Sequence, residues 1–322
     1  MSVNVTPGWI GRHTPTNAQA GGRDAAIIDI AQDLLLRDLH TRGVLGGLVF
    51  KGGTALRKLY AGNQGRFSTD LDFSLADITD DPDDVVLELI AAIEGTKVGP
   101  FAYSVRERRG KWSLIVESPF NEDESDLSSK LDVSPAVWMS PVRRGWVAMG
   151  VHVTYGDPPL PELQAIRMEE NLAEKISRLN RTTTARDMYD LAWIAAHHHE
   201  IGGIDRDLVR RLAVLKMWVD ANGVSAGKAV WKPSHEPTPF EPDRWLRQRG
   251  AKEFDLEDIG ALAVPTPSTA ELSEAVRTNY GFLSALDDSE RQLAAARGQD
   301  RPLALKLLAD LPAGLLNGQG LY

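Results

Sequence analysis

Between residues 23 and 40 apolar side chains recur every three or four positions: Ile27, Ile30, Ala31, Leu34, Leu35 and Leu39. That spacing puts them on one face of a helix, and Gly43 ends it. The period then changes. Leu48-Val49-Phe50 is a short apolar run leading into Gly52-Gly53, and residues 54–60 read as a short helix. Residues 71–75 alternate apolar and polar side chains, as a half-buried strand does. Pro82, after two aspartates, opens a helix that Gly95 stops. Residues 101–105, 112–116, 130–134 and 147–155 read as further strands. Past Pro158 the pattern becomes helical, at 168–179, 184–198 and 206–222. Residues 225–267, rich in Pro and charge, read as a long irregular insertion with a short helix near 244–248. Two or three helices close the chain, over 268–286, 288–297 and 302–311. The expected class is α+β: a flexible segment over 1–22, a mixed sheet flanked by helices over 23–158, and a mainly helical lobe over 159–322.

Composition narrows the class only a little. A chain of 322 residues fits about two domains. Lys and Arg number 36 against 45 Asp and Glu, a net charge of −9. That argues against non-specific coating of nucleic acid but leaves room for a local basic surface. There is no cysteine, which excludes disulfides, Cys-ligated zinc, iron–sulfur clusters and thiol catalysis. No apolar leader and no run of about 18 apolar residues occur, so the expected location is cytoplasmic, with no membrane partner.

The chemistry concentrates in Lys51-Gly52-Gly53-Thr54 through Tyr60 and in Arg66-Phe67-Ser68-Thr69-Asp70-Leu71-Asp72. A Gly-Gly between a strand and a helix lets backbone N–H groups approach an anion, and Thr54 adds a hydroxyl. It is not a P-loop, which needs Gly-Lys-Ser/Thr at a set spacing. Asp70 and Asp72 alternate along a strand, so both carboxylates leave the same face. Carboxylates that close repel unless a cation lies between them, and hard oxygen donors suit Mg²⁺. Asp132 lies on another alternating run that fits beside theirs, and the three together fit a pair of Mg²⁺ ions. Arg57, Lys58 and Arg66 surround the loop as candidate phosphate ligands, with Lys51 and Ser68 beside it. A phosphate on Ser68 or Thr69 would add charge that opposes nucleotide binding.

Other features suggest less. His197-His198-His199 are consecutive on a helix and point about 100° apart, so they cannot converge on one ion; they read as a helix end. The acidic run 122–126 reads as a solvated loop. Arg106, Arg108, Arg109 and Lys111 cluster in a turn, and Arg143-Arg144 in another. If both turns face the cleft, they form one basic strip for RNA phosphates.

The Gly-Gly, Asp-x-Asp and later-Asp order resembles the DNA polymerase β-like nucleotidyltransferases. More narrowly, the wording of residues 51–60 and 66–75 is similar to the AbiEii/MenT toxin nucleotidyltransferases. Glu170-Asn171-Leu172-Ala173-Glu174-Lys175-Ile176 resembles that family's third motif, and Arg186-Asp187-Met188-Tyr189-Asp190-Leu191 its fourth. The resemblance covers roughly residues 45–195, with the blocks in family order. It implies a nucleotidyltransferase core at the N-terminus. Gly52, Gly53 and Thr54 would hold phosphates, Asp70, Asp72 and Asp132 would ligate metal, and Lys175 would contact the triphosphate of an NTP. Asp187 or Asp190 would be a further necessary residue, Asp187 ahead. The implied reaction moves a nucleoside monophosphate onto an RNA, with the 3′ end of tRNA as acceptor. That would make the chain the toxin of a type IV toxin–antitoxin or phage-defence pair, opposed by an AbiEi-like or other antitoxin. Two rivals share the fold: a transferase for small molecules such as aminoglycosides, and an inactive binding module.

Overall fold

The computed structural model describes residues 2–15, 21–121, 127–181, 184–222, 256–295 and 297–317. The acidic run 122–126, most of the expected insertion (225–255) and its short helix lie outside them. The chain divides into two compact units. The first comprises Met1–Val137, Pro141–Ile166 and Gly260–Pro265; the second comprises Trp138–Ser140, Arg167–Ile259 and Thr266–Tyr322. No helix among the described residues is long and apolar enough to cross a membrane.

The first unit opens with α1 (Pro7–His13) and α2 (Gly22–Thr41). After β1 (Leu48–Lys51) comes α3 (Gly52–Leu56), which runs on through a π-helical turn over Arg57–Ala61. Then follow β2 (Leu71–Leu75), α4 (Pro82–Ile93), β3 (Lys97–Val98), β4 (Phe101–Arg108), β5 (Lys111–Glu117), β6 (Leu127–Ser134), β7 (Val142–Arg144) and β8 (Leu163–Ala165). The eight strands form one mixed sheet in the order β3-β4-β5-β6-β2-β1-β8-β7. β2 runs antiparallel to β1 and parallel to β6. One face of this sheet is the core. Phe50, Leu71, Phe73, Leu114 and Leu131 bury there against Ile27, Ile30 and Leu34 of α2 and Leu89 of α4. The alternate positions of the same strands point the other way.

The second unit is helical: α5 (Met168–Arg181), α6 (Ala185–His197), α7 (Arg206–Asn222), α8 (Thr269–Asn279), α9 (Asp288–Ala294) and α10 (Arg301–Ala309). The caps explain the starts. Thr184 accepts from the Asp187 N–H at the head of α6, and Ser268 and Glu271 form a reciprocal capping box on α8. α6 ends at His197, in line with a helix end at the three histidines.

Two sequence expectations fail. Segment 1–22, expected to be flexible, contains α1, whose Ile10 is fully buried in the core. Pro at the first helical position and one inward apolar residue suffice to dock it. Residues 147–155, expected as a strand, contain a 3₁₀ turn over Gly150–Thr154. Helical spacing buries Val151, Thr154 and Tyr155 and leaves Val153 75% exposed, a pattern that period two cannot produce. The two- and three-residue strands β3, β7 and β8 carry no readable period; pairing alone makes them strands.

Candidate functional site

The site of the first unit is built where β1 turns into α3. Gly52 has φ +77°, and a Cβ there would lie 2.6 Å from Oδ2 of Asp72. Only glycine tolerates both the left-handed backbone and that approach. A Cβ on Gly53 would meet Nη2 of Arg66 at 2.2 Å and Oγ of Ser68 at 3.0 Å. The two glycines therefore bring the head of a helix against a carboxylate on one side and a guanidinium on the other. Lys51 pairs in register with Asp72 across β1 and β2. Thr54 is fully buried, and its hydroxyl donates to the carbonyls of Asp70 and, at 3.2 Å, Ser68. The structure gives Thr54 the task of fastening the helix to the Asp-x-Asp segment, in place of the phosphate contact expected of it.

Asp72 and Asp132 are direct partners across the parallel β2–β6 pairing. Both leave the sheet on the face away from the core; Asp70 lies one residue before β2, close enough for its charge to act on Asp72. Burial pushes the Asp72 carboxyl above its ordinary value. Lys130 and Lys51 pull it down, while Asp70 and Asp132 add to the rise. Lys130, which the sequence reading passed over, places its ammonium 3.7 Å from Asp72 and 3.3 Å from Asp132. Its signal was available: in an alternating strand residue 130 shares the face of residue 132.

No three His, Asp or Glu side chains among the described residues are gathered as a ready metal cluster. The donor set still fits a hard divalent cation. Two carboxylates in register, a third just before β2 and one carboxyl raised by burial and its acidic neighbours make a set of hard oxygen donors. Lys130 supplies a single cation where the two register partners meet.

Arg57 and Lys58 are corrected. They are 1% and 0% exposed, and neither is available to a phosphate. Arg57 grips Asp29 of α2 through both carboxylate oxygens, at 3.1 and 3.0 Å, and donates to the carbonyls of Gly62 and Gly65. Its guanidinium also lies 3.6 Å over the Phe67 ring. Lys58 bonds Asp29 at 2.8 Å and Asp33, and Asp33 also accepts from the Tyr155 hydroxyl at 2.6 Å. Burial alone would raise both carboxyls. Arg57 and Lys58 outweigh it at Asp29, and Lys58 with His152 at Asp33, so both sit below the usual range. The missed signal was an Asp pair four apart among the inward apolar positions of α2: 29 and 33 share one turn and one buried face.

In the second unit Lys175 of α5 is buried between two carboxylates of α6, 3.3 Å from Asp187 and 2.7 Å from Asp190. Thr184 donates to the other oxygen of Asp187, and Arg178 stands 3.7 Å from Asp187. The third and fourth sequence blocks therefore form one three-residue cluster, with both aspartates on the lysine. Glu170, of the same block, accepts the N–H groups of Trp138 and Met139 and pairs with Lys216 at 2.7 Å, which makes it an anchor of that unit.

The chain is similar to proteins of a known family and fold. The family described as nucleotidyl transferase AbiEii toxin, type IV TA system, matches residues 33–279. The nucleotidyltransferase toxin MenT4 of Mycobacterium tuberculosis is 33% identical. The alignment covers 96% of this chain and all of that one, with a TM-score of 0.78. JHP933 of Helicobacter pylori is 18% identical over 81% of this chain and 97% of its own, at a TM-score of 0.35. No curated protein matches.

Proposed function

The chain belongs to the AbiEii nucleotidyl transferase toxin family, and from that premise we propose that it transfers a nucleoside monophosphate from an NTP to an RNA hydroxyl, with the 3′ end of tRNA as acceptor. The observation that carries the reading is the approach of Gly52 to Asp72, with Asp132 in register beside it. The first-turn N–H groups of α3, which a helix does not bond internally, suit an anion, and Arg66 beside Gly53 adds positive charge for phosphates. Asp132, whose side chain is 46% exposed, takes the proton of the acceptor hydroxyl. The hydroxyl oxygen then bonds to the α-phosphorus, the bond from that phosphorus to the bridging oxygen breaks, and pyrophosphate leaves. Mg²⁺, two ions in this reading, held by Asp70, Asp72 and Asp132, supplies charge stabilisation on the phosphates and a lower pKa for the attacking hydroxyl. Lys175, which the family resemblance matches to a triphosphate contact, is buried against Asp187 and Asp190 within the second unit. Extending the tRNA end would block its charging and make the protein toxic in the cytoplasm. An antitoxin of the AbiEi type, encoded alongside, would oppose it.

The test is incubation with total tRNA, Mg²⁺ and each α-labelled NTP in turn. Label should enter tRNA with the wild-type chain and not with Asp72→Ala. Absence of label in every RNA, with no toxicity on expression, overturns the reading.

A further inference from the structure

The strand register puts a row of basic residues on the face that carries Asp72 and Asp132. Asp72 pairs with Asp132; two residues back on β6, Lys130 leaves the same face. Lys130 pairs with Ser113 of β5, and Ser113 pairs with Arg106 of β4. One step further along the hairpin, Lys111 pairs with Arg108. Cross-strand partners share a face and alternate residues return to it. So Lys130, Ser113, Arg106, Lys111 and Arg108 occupy the face that carries Asp72 and Asp132, opposite the face on which Leu114 and Leu131 meet the core. All four cations are exposed. At about 4.8 Å per strand, Arg106 stands two strands, roughly 10 Å, from Lys130. Arg109 closes the hairpin at φ +56°, beside Gly110 at φ +72°. The one acidic residue of β5, Glu117, sits at the far end of that strand from the tip.

The other basic pair does not join this stripe. Arg143 and Arg144 lie on β7, at the opposite edge of the sheet, and Arg143 pairs with Glu162. The single strip expected from the sequence is thus ruled out, because four strands, β6, β2, β1 and β8, lie between β5 and β7.

We propose that the stripe Lys130–Arg106–Arg108–Lys111 is a track for the phosphate backbone of the acceptor RNA, leading its 3′ hydroxyl to Asp132. This rests on the nucleotidyl-transfer reading. The argument is charge complementarity on an otherwise acidic chain, continuous by register with the carboxylate site. Only the local surface is basic, so a net charge of −9 does not oppose binding there.

The test is the full chain carrying Arg106→Glu, Arg108→Glu and Lys111→Glu together, with the three Gln substitutions as a milder second variant. The Glu variant should raise the KM for the RNA acceptor at least tenfold and leave the KM for NTP unchanged. Its affinity for a 3′-labelled RNA, read by anisotropy, should depend less on salt, the log–log slope falling by about 2 for three lost phosphate contacts on a single strand. The Gln variant should move both readouts in the same direction by less. Unchanged RNA affinity and salt slope in the Glu variant overturn the track. A wild-type chain that binds RNA through these residues yet transfers nothing to it supports the track and sinks the transfer reading; a wild-type chain that binds no RNA overturns the track itself.

Discussion

Two groups of carboxylates in the first unit, both next to the Gly52–Lys58 segment, have opposite surroundings. Asp29 and Asp33 lie in the interior, where Arg57 and Lys58 match them charge for charge and hold both carboxyls ionised below their usual range. Asp72 and Asp132 lie on the outward face of the sheet, with Asp70 just before β2, and there burial and mutual repulsion leave Asp72 above its ordinary value. The first group is complete and holds the fold together. In the second, Asp72 stays above its ordinary value although Lys130 and Lys51 stand beside it. Residue type is the same in both; the difference lies in whether the neighbouring cations outweigh burial and the neighbouring carboxylates. Evenly matched buried pairs fix a structure, and their removal leaves charge stranded.

The sharpest way to test that contrast is a crossed pair of substitutions. Asp72→Ala should reduce nucleotidyl transfer about 10³-fold or more, the loss of several kcal/mol of transition-state stabilisation, with thermal stability held or raised. Lys58→Ala should do the reverse in kind. It strands Asp33 and half-strands Asp29, costs about 3–5 kcal/mol and lowers the melting temperature by roughly 10 °C, while NTP affinity of the folded fraction persists. If Lys58→Ala left stability intact and abolished phosphate binding, the division between the two groups would be wrong.

Next in size is the dependence on pH, where the two groups carry opposite signs. A carboxyl whose folded value is lowered stabilises the fold above its unfolded value, about 3.9, and loses that contribution as pH falls through the folded value. Asp29 and Asp33 therefore keep the unit folded into moderately acid solution. Asp72 is raised, so the folded chain binds its proton more tightly than the unfolded chain does. Its contribution falls as pH rises from the ordinary carboxylate value to the raised one. In metal-free buffer Asp72→Asn should melt higher than wild type above that window and no higher below it. Equal melting at both ends would show that Asp72 is not strained by its neighbours.

The smallest effect, and the most local, is at Gly52. Gly52→Ala places a methyl on Asp72 Oδ2 and forces a left-handed backbone on alanine, at about 1–2 kcal/mol. Transfer should fall at least tenfold, because the carboxylate must move away from the head of α3. Gly95→Ala, also at positive φ but with nothing within 4 Å, should cost similar stability and leave transfer unchanged. Matching losses of activity would mean that backbone strain alone, not the approach to Asp72, governs the Gly52 position.

Much of this was legible in the chain. The period-two pattern at residues 71–75 and 130–134 put the aspartates on strands, and Asp132 was expected beside Asp72. The amphipathic pattern of α2 was plain, as was Pro82 at the start of α4. What misled was charge near the loop: Arg57 and Lys58 follow two glycines and look like phosphate ligands. Their role depends on Asp29 and Asp33, more than twenty residues earlier, and on Tyr155, about a hundred later. The same limit made the two basic clusters look like one, since sheet order is invisible in a list of strands.

By itself the sequence determined the local facts: which segments alternate, where Gly permits a tight turn, which residue types can ligate a hard cation, and the order of the four blocks. Those follow from short-range sterics and period, which reach only a few residues. The tertiary structure alone decided which charges meet. It buried Arg57 and Lys58 against α2, set Lys130 between Asp72 and Asp132, closed Lys175 between Asp187 and Asp190, and carried the hairpin cations to the face of the aspartates. Electrostatic role depends on distance and burial, and both are properties of the folded chain, fixed by contacts between residues far apart along it.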